Sequence, residues 1–424
     1  MDQLTVAGQA YLARDAAQEL GSADLATRNK ALYVMADALL EREEDILAAN
    51  QADIDSARAN ETRENLIDRL MLNHDRLVSI SDALRELADL PDVLGEVIEQ
   101  RAIAGGIQMQ EVRVPLGVVG MIYEARPNVT CDAAGIGVKT GNAMLLRGGS
   151  LAQQSNKVLT EVLQDALETV GLPRESVQAI DASDRSTATE MMGMRGLIDL
   201  LIPRGGAGLI ASVVENSKVP VIETGTGNCH IYIEKTANLD MAHTIVLNAK
   251  CQRPSVCNAA ESLAIDRDIA EEVLRSLVPA LIDEGVSLAI DPDYVEFAKE
   301  HAPDESMIRE ATEDDYATEY LDLEISVKVV DGAKDAVAHI NEFGSKHSEA
   351  IVTTDDAAAE YFIQHVDAAA VYVNASTRFT DGGLFGLGAE IGISTQKMHA
   401  RGPFALKALT STKFICRGAG QIRE

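Results

Sequence analysis

The feature that most restricts the fold of this chain is an alternation of short apolar segments with helical segments that begins at Ile107. Residues 107–114 alternate apolar and polar side chains, and residues 115–122 have the composition of a buried strand. Predicted strands and helices then follow in turn: strand 143–146, helix 151–170, strand 177–180, a further helix, and strand 198–202. This alternation predicts a parallel α/β sheet.

A second α/β half follows residue 257, and helices precede the first half. The predicted strands of the second half are 262–265, 287–289, 325–330, 350–353 and 370–373, with helices at 268–284 and 333–342. Residues 7–100 are predicted to be helices, because Leu77, Ile80, Leu84 and Leu87 follow helical spacing. A chain of 424 residues is too long for one ordinary core, so we expect two or three domains.

Composition excludes several classes of protein. The net charge of −30 argues against nucleic-acid partners and against anionic membranes, which require basic patches. No apolar stretch approaches the roughly 18 residues of a membrane span, and the N-terminus does not have the pattern of an export signal. The five cysteines form no CxxC pair, so a disulfide framework or a zinc site is disfavoured. A reduced, cytoplasmic enzyme without a metal is the expected class.

Two glycine-rich segments follow predicted strands of the first half and lead into helices. Residues 147–150 read Arg-Gly-Gly-Ser, and residues 206–211 contain a G-x-G-x-x-A pattern. Glycines there let backbone amides and a helix N-terminus approach a pyrophosphate, although a glycine turn is also ordinary between strand and helix. Together they favour a dinucleotide, and the adjacent arginines would suit the 2′-phosphate of NADP. The candidate cofactor contacts are Arg147, Gly148, Gly149, Ser150, Arg204, Gly206 and Gly208.

Cys257 lies in a non-periodic loop, residues 252–261, between two regular segments. A thiol becomes a strong nucleophile where helix N-terminal amides or nearby cations lower its pKa, and Lys250 and Arg253 are sequence neighbours. A structural role stays open as well, because cysteine is among the most often buried residues. Glu223 follows a predicted strand at 219–222, where it is either a general base or a carboxylate that holds the turn.

The order of these motifs resembles the aldehyde dehydrogenase superfamily over nearly the whole chain. The segments that carry the resemblance are residues 114–122, the Leu-Leu-Arg-Gly-Gly-Ser of 145–150, the Glu-Thr-Gly-Thr-Gly of 223–227, the loop cysteine and Glu324-Ile325. Four segments are similar in sequence to the branch of that superfamily that reduces an acyl phosphate: residues 123–130, 201–206, 223–230 and 251–261.

The resemblance implies NADPH-dependent reduction of L-glutamate 5-phosphate to L-glutamate 5-semialdehyde in proline biosynthesis, through a thioester on Cys257. The oxygen of the tetrahedral species would be held by the backbone N–H of Cys257 and by Asn128, with Arg126 as a neighbour that could take that space. Glu324 would hold the nicotinamide ribose, and Glu223 would have no water to activate. The candidates for the anions of the substrate are Arg126, Arg253, Ser376 and Arg378.

The resemblance also implies a division into domains. Residues 1–106 and 127–226 would form the NADP-binding domain, residues 227–395 the catalytic domain, and residues 107–126 with 405–424 an oligomerisation flap. A homodimer or homotetramer is expected, and glutamate 5-kinase, which would supply the labile substrate, is a candidate partner. Two alternatives stay open: a hydrolytic NAD(P)-dependent aldehyde dehydrogenase, and a non-catalytic binding or scaffold protein that kept the fold.

Overall fold

The alternating pattern folds into two parallel sheets, one in each of two units. The computed structural model describes residues 5–423, apart from the side chain of Asn65. Unit 1 comprises the described residues up to Thr224, Leu387–Gly392, and the described residues from Phe404 onward. Unit 2 comprises Gly225–Gly386 and Ile393–Pro403.

The elements of each unit follow in chain order. Those of unit 1 before the chain enters unit 2 are α1 (Val6–Ser22), α2 (Leu25–Glu41), α3 (Glu43–Ala59), α4 (Glu64–Leu70), α5 (His74–Asp89), β1 (Val97–Ala102), β2 (Gln108–Pro115), β3 (Val118–Tyr123), α6 (Pro127–Lys139), β4 (Ala143–Arg147), α7 (Gln153–Thr169), β5 (Val177–Ala179), α8 (Ser186–Gly193), β6 (Leu200–Arg204) and α9 (Ala207–Asn216). Those of unit 2 are β7 (Cys229–Ile233), α10 (Leu239–Cys251), β8 (Ala260–Asp266), α11 (Ala270–Asp283), β9 (Ser287–Ile290), α12 (Val295–His301), β10 (Ile308–Glu310), α13 (Glu313–Tyr316), β11 (Glu324–Val330), α14 (Ala333–Phe343), β12 (Ser348–Val352), α15 (Asp356–His365) and β13 (Ala370–Val373). The short strands β14 (Gly392–Ser394) and β15 (Gly402–Phe404) pair with each other, and β16 (Thr410–Arg417) follows.

The helical prediction for residues 7–100 is confirmed up to Asp89. Side chains of Thr5, Asp24 and Asn73 cap the first turns of α1, α2 and α5, and the predicted apolar stripe of α5 is buried. The prediction is wrong at its end, because β1 begins at Val97. The β-branched pair Val97-Ile98 and the partner strand β2 favour an extended chain there.

The sheet of unit 1 has the order β5-β4-β3-β6, with parallel pairing throughout. Its predicted strands are confirmed within a few residues, and every residue of β3 is buried. The side chains around this sheet form an apolar core that includes Val118, Ile122, Leu145 and Leu201. Within residues 5–423, no helix is long and apolar enough to cross a membrane.

A second sheet of unit 1 is antiparallel and has the order β1-β2-β16. The C-terminal strand β16 pairs with β2, in a register from Gln108 opposite Arg417 to Pro115 opposite Thr410. The range 107–126 predicted for this flap differs from the structure, since β3 belongs to the parallel sheet. The chain turns between the two sheets at Gly117, which has a φ of 124°, and a Cβ atom there would overlap the Asp199 carboxylate.

The sheet of unit 2 has the order β10-β9-β11-β8-β7-β12-β13, and all of its pairs are parallel. Helices α10, α11 and α12 contribute to the core on it. The sequence predicts the central strands but not β7, whose buried residues include Cys229 and His230. The predicted strand 219–222 forms only an isolated bridge, between Val221 and Leu201.

Candidate functional site

Cys257 lies in a turn, residues 254–259, which we call the cysteine turn. It follows α10 and leads directly into β8, so the predicted loop between regular segments is confirmed and Cys257 is half-buried. A strand follows the turn, so Cys257 does not lie at the start of a helix. Because Cys257 precedes β8 by three residues, the turn lies at the amino end of the unit 2 sheet. Sites of open α/β sheets are usually at the carboxyl ends.

The base of this loop is closed by a buried ion pair between Lys250 and Glu261, with Nζ and Oε2 2.6 Å apart. Burial lowers the pKa of Lys250 and raises the pKa of Glu261 to about 7, and each charge partly offsets the effect on its partner. The hypothesis that Lys250 activates the thiol is therefore wrong, because its charge is neutralised by Glu261.

Two residues of the segment 223–230, Gly227 and Cys229, pack against the cysteine turn. A Cβ atom on Gly227 would overlap the carbonyl oxygen of Cys257, so only glycine fits there. The thiol of Cys229 donates a hydrogen bond of 3.2 Å to the same carbonyl oxygen. Burial raises the pKa of Cys229 far above its usual value, which keeps it a thiol and a donor. Gly227 and Cys229 therefore both pack against the main chain of Cys257.

The polar loop after β13 returns to the amino end of the sheet. It starts at Asn374, whose Oδ1 accepts from the Thr353 N–H at the carboxyl end of β12. It reaches Thr380, whose hydroxyl accepts from Ser348 at the amino end of the same strand. Residues 376–380, which we call the arginine turn, are thereby brought next to the cysteine turn. The loop thus begins at the carboxyl end of the sheet and folds back to the amino end, where Cys257 lies.

Arg378 is a cation that interacts with Cys257, and Arg253 interacts with Arg378. Burial lowers the pKa of the half-buried Arg378, Arg253 lowers it further, and Cys257 acts in the opposite direction. The Nε of Arg378 donates to the side chain of Gln252 at 3.1 Å. Ser376 is buried, and its hydroxyl accepts from the Arg378 N–H, so it stabilises the arginine turn itself. The structure thus brings Arg378 together with Arg253 and with the predicted nucleophile, Cys257.

Glu324 lies at the first residue of β11, at the same end of the sheet. Its carboxylate accepts from Arg309 at 2.8 Å, and Arg309 also donates to Asp315. Sequence reasoning missed Arg309, which has no local motif. The role of Glu324 toward a ribose stays a prediction.

The glycines of unit 1 differ in what requires them. A Cβ atom on Gly148 would overlap the Asn156 amide, and one on Gly149 would lie 2.8 Å from the Ala125 nitrogen, so close packing explains both. Gly206 and Gly208, in contrast, are exposed at the start of α9, and nothing lies within 4 Å of a Cβ atom on Gly208.

An anion already lies at the N-terminus of α9. The carboxylate of Glu124, which sequence reasoning missed, accepts a hydrogen bond of 2.6 Å from the Gly206 N–H. This helix end therefore stabilises negative charge, which is the property that a pyrophosphate requires.

Arg147 lies at the carboxyl end of β4. It donates to the carbonyl oxygens of Ala182 and Asp184 at 3.4 and 3.2 Å. Burial lowers its pKa, and the next contribution comes from Arg185, a second cation that sequence reasoning missed. A cavity of about 260 Å³ adjoins this point and is lined by Gly148, Gln153, Lys157, Asp181 and Ala182, among others. These features fit a dinucleotide at the carboxyl ends of β4 and β5.

Asn128 is the second residue of α6, and Arg126 is its N-cap. The Asn128 amide donates to Asp132 at 3.1 Å. Burial raises the pKa of Asp132 to about 6, while Asn128 and Arg204 lower it. Asn128 and Arg126 belong to unit 1 and Cys257 to unit 2, so their predicted roles toward the thioester stay predictions.

Comparison with known proteins gives a consistent result over the whole chain. Residues 3–294 match the model of the aldehyde dehydrogenase family. The chain is 52% identical over 411 residues to the gamma-glutamyl phosphate reductase of Heliobacterium modesticaldum, covering 97% of both proteins. It is 51% identical to that of Clostridium beijerinckii, covering 100% of both. The crystal structure of the gamma-glutamyl phosphate reductase of Thermotoga maritima superimposes with a TM-score of 0.95 at 45% identity, covering 99% of this chain and 100% of that one.

The parallel sheets, the cysteine turn and the match to the family model define the class. The chain belongs to the aldehyde dehydrogenase family, and the predicted fold class is confirmed. Within that family it belongs with the gamma-glutamyl phosphate reductases, because it matches them at about half identity from end to end.

Proposed function

We propose that this chain catalyses the NADPH-dependent reduction of L-glutamate 5-phosphate to L-glutamate 5-semialdehyde, with release of phosphate, in proline biosynthesis. It is in this sense a phosphorylating glutamate-5-semialdehyde dehydrogenase. The observation that carries the proposal is the half-buried Cys257 with Arg378 beside it and Arg253 next to Arg378. The full-length relatives named for this activity support it independently.

The chemistry proceeds through a thioester on Cys257. The thiolate attacks the acyl carbon, and the carbon–oxygen bond to phosphate breaks with its electron pair on the departing phosphate. NADPH supplies a hydride to the thioester carbon when it is bound. The resulting thiohemiacetal oxyanion collapses, releases the aldehyde and returns the thiolate. The backbone N–H of Cys257 and the side chain of Asn128 are the donors that we assign to the oxyanion.

The arginines account for the charge of the substrate. An acyl phosphate and an α-carboxylate are both matched by the planar guanidinium group. We assign Arg253 and Arg378 to the acyl phosphate, since Arg378 interacts with Cys257 and Arg253 with Arg378. We keep Arg126 and Ser376 as candidates for the rest of the substrate. Phosphate release needs no activated water, so Glu223 has no assigned role as a base.

The cofactor assignment rests on unit 1. Gly206 and Gly208 at the N-terminus of α9 would admit the pyrophosphate, and Arg204 borders the same turn. Arg147 and Ser150 are within two residues of Gly148, which lines the cavity, and Arg147 would bind the 2′-phosphate that distinguishes NADP from NAD. Glu324 would bind the nicotinamide ribose, as in the resemblance to the family.

Assembly and setting complete the proposal. β16 is the last strand of its sheet, so its outer edge can pair with another subunit, which supports a homodimer or homotetramer. A separate glutamate 5-kinase would supply the labile acyl phosphate and is the candidate partner. A thiolate nucleophile needs a reducing compartment, which is consistent with the cytoplasm.

The forward reaction tests the proposal. L-Glutamate 5-phosphate is generated in place from glutamate and ATP by a glutamate 5-kinase, and NADPH oxidation is followed by absorbance. Cys257→Ala should abolish the activity, whereas Cys251→Ala, in the last turn of α10, should retain it. Oxidation of NADPH by the Cys257→Ala variant at the wild-type rate would overturn the thioester mechanism.

A further inference from the structure

Asn258, the residue after Cys257, connects the cysteine turn to the arginine turn. Its side chain is 6% exposed. The Nδ2 group donates to the carbonyl oxygen of Arg378 at 3.3 Å and to that of Thr380 at 2.9 Å. Both amide hydrogens are therefore used on main-chain acceptors of one turn, which fixes the orientation of the amide.

The connection is reciprocal. The carbonyl oxygen of Asn258 accepts from the hydroxyl of Thr377 at 2.8 Å. At the end of the arginine turn, the Thr380 hydroxyl is hydrogen-bonded to the hydroxyls of Ser348 and Tyr372, both at 2.7 Å. Three hydrogen bonds thus join residue 258 to an arginine turn that is itself anchored to the strands β12 and β13.

The consequence concerns the charge next to the thiol. Arg378 is part of the arginine turn, so its position depends on the position of the turn. Its guanidinium interacts with the Cys257 side chain. Arg253 also interacts with Arg378, and the buried thiol of Cys229 interacts with Cys257. Glu319 lies behind the cysteine turn, where its carboxylate accepts from the Gly227 N–H at 2.5 Å.

Asp381, the residue after the arginine turn, raises the pKa of Arg378. Arg253 is exposed, while Arg378 is half-buried and tied to the turn. A side chain that holds the arginine turn can therefore control the position of Arg378.

We propose that Asn258 is a positioning residue, which holds the arginine turn so that the guanidinium of Arg378 stays beside Cys257 and stabilises its thiolate. The inference takes from the proposed function only that Cys257 is the nucleophile. The reactivity of the thiol is measured without substrate or cofactor, so a failure here is distinguishable from a failure of the proposed reaction.

The test is the pH dependence of alkylation of Cys257 by iodoacetamide, a neutral reagent, followed on the Cys257 peptide by mass spectrometry. Asn258→Ala removes both donors without adding a charge. Loss of a cation within about 4–6 Å raises a thiol pKa by about one unit or more, so alkylation at neutral pH should fall roughly tenfold. Arg378→Gln should give a similar shift, and the double variant should be no slower than the slower single variant, because Asn258 acts through Arg378.

Controls separate positioning from simple stabilisation. Asn50 is a buried asparagine of unit 1 whose amide donates to the Leu70 carbonyl at 2.9 Å. Asn50→Ala should lower the melting temperature and leave the alkylation profile of Cys257 unchanged. Thr377→Val, which removes only the third hydrogen bond, should give a smaller shift and serves if Asn258→Ala does not fold. A wild-type alkylation midpoint in Asn258→Ala or Thr377→Val, with only a lower melting temperature, would overturn the proposal.

Discussion

At the scale of single residues, the surroundings of Cys257 are set by side chains that are distant in sequence. Sequence proximity suggested Lys250 as the activating cation, but its partner Glu261 lies across the loop and neutralises it. Arg378 is 121 positions after Cys257 and still lies beside it. Proximity along the chain was misleading for Lys250, because contacts across a loop cannot be read from spacing.

The buried pair gives a prediction for stability. Glu261→Gln leaves the Lys250 ammonium buried without a counter-charge, so the free energy of unfolding should fall by roughly 3–5 kcal/mol in urea titrations. The matched control is Glu296→Gln, which breaks an exposed pair with Lys299 of the same unit and should cost less than about 1 kcal/mol. Equal losses in the two variants would contradict the account of Lys250 and Glu261.

At the scale of elements, the apolar runs predict the parallel strands well, because buried strands of parallel sheets are continuously hydrophobic. The same reasoning missed β7, where fully buried Cys229 and His230 interrupt the apolar pattern. It also missed the return of the arginine turn to the amino end of the sheet. That path is fixed by hydrogen bonds such as Ser348 to Thr380, which leave no periodic signal.

The glycines at the start of α9 give a prediction at this scale. A Cβ atom on Gly208 meets nothing within 4 Å, and alanine favours a helix over glycine, so Gly208→Ala should raise stability by up to about 1 kcal/mol. If the glycine serves the approach of a pyrophosphate, the same variant should raise the KM for NADPH and leave kcat for bound substrate nearly unchanged. Higher stability with an unchanged KM would leave Gly208 without a role in cofactor binding.

At the scale of the whole molecule, the negative surface and the buried polar groups of unit 2 have separate effects. The net charge of −30 belongs mostly to the solvated surface, whereas at the candidate site the cation Arg378 interacts with the Cys257 thiol. Beneath the cysteine turn, the fully buried His347 contacts Ser348 at 2.8 Å. Burial lowers the pKa of His347 to about 4, so it is neutral in the folded protein near neutral pH.

Because His347 is buried and neutral, we expect the free energy of unfolding to depend on pH. Above the unfolded pKa of about 6.5, both states are neutral, and as the pH falls toward 4 only the unfolded state takes up the proton. The free energy of unfolding should therefore drop by roughly 3 kcal/mol more in the wild type than in His347→Asn over that range. Glu261, with its pKa raised to about 7, opposes the trend in both proteins, so the difference between them is the quantity to measure. Parallel pH profiles would contradict a neutral buried His347.

The measurement that tests the central claim most directly runs the reaction backwards. L-Glutamate 5-semialdehyde and NADP are supplied, the phosphate concentration is varied, and NADPH formation is followed in the wild type and in Cys257→Ala. The account predicts that formation increases with phosphate until it saturates and is absent from the variant, because phosphate must resolve the Cys257 thioester. Sustained formation without phosphate would contradict it, and would make this chain a hydrolytic dehydrogenase with Glu223 as its base.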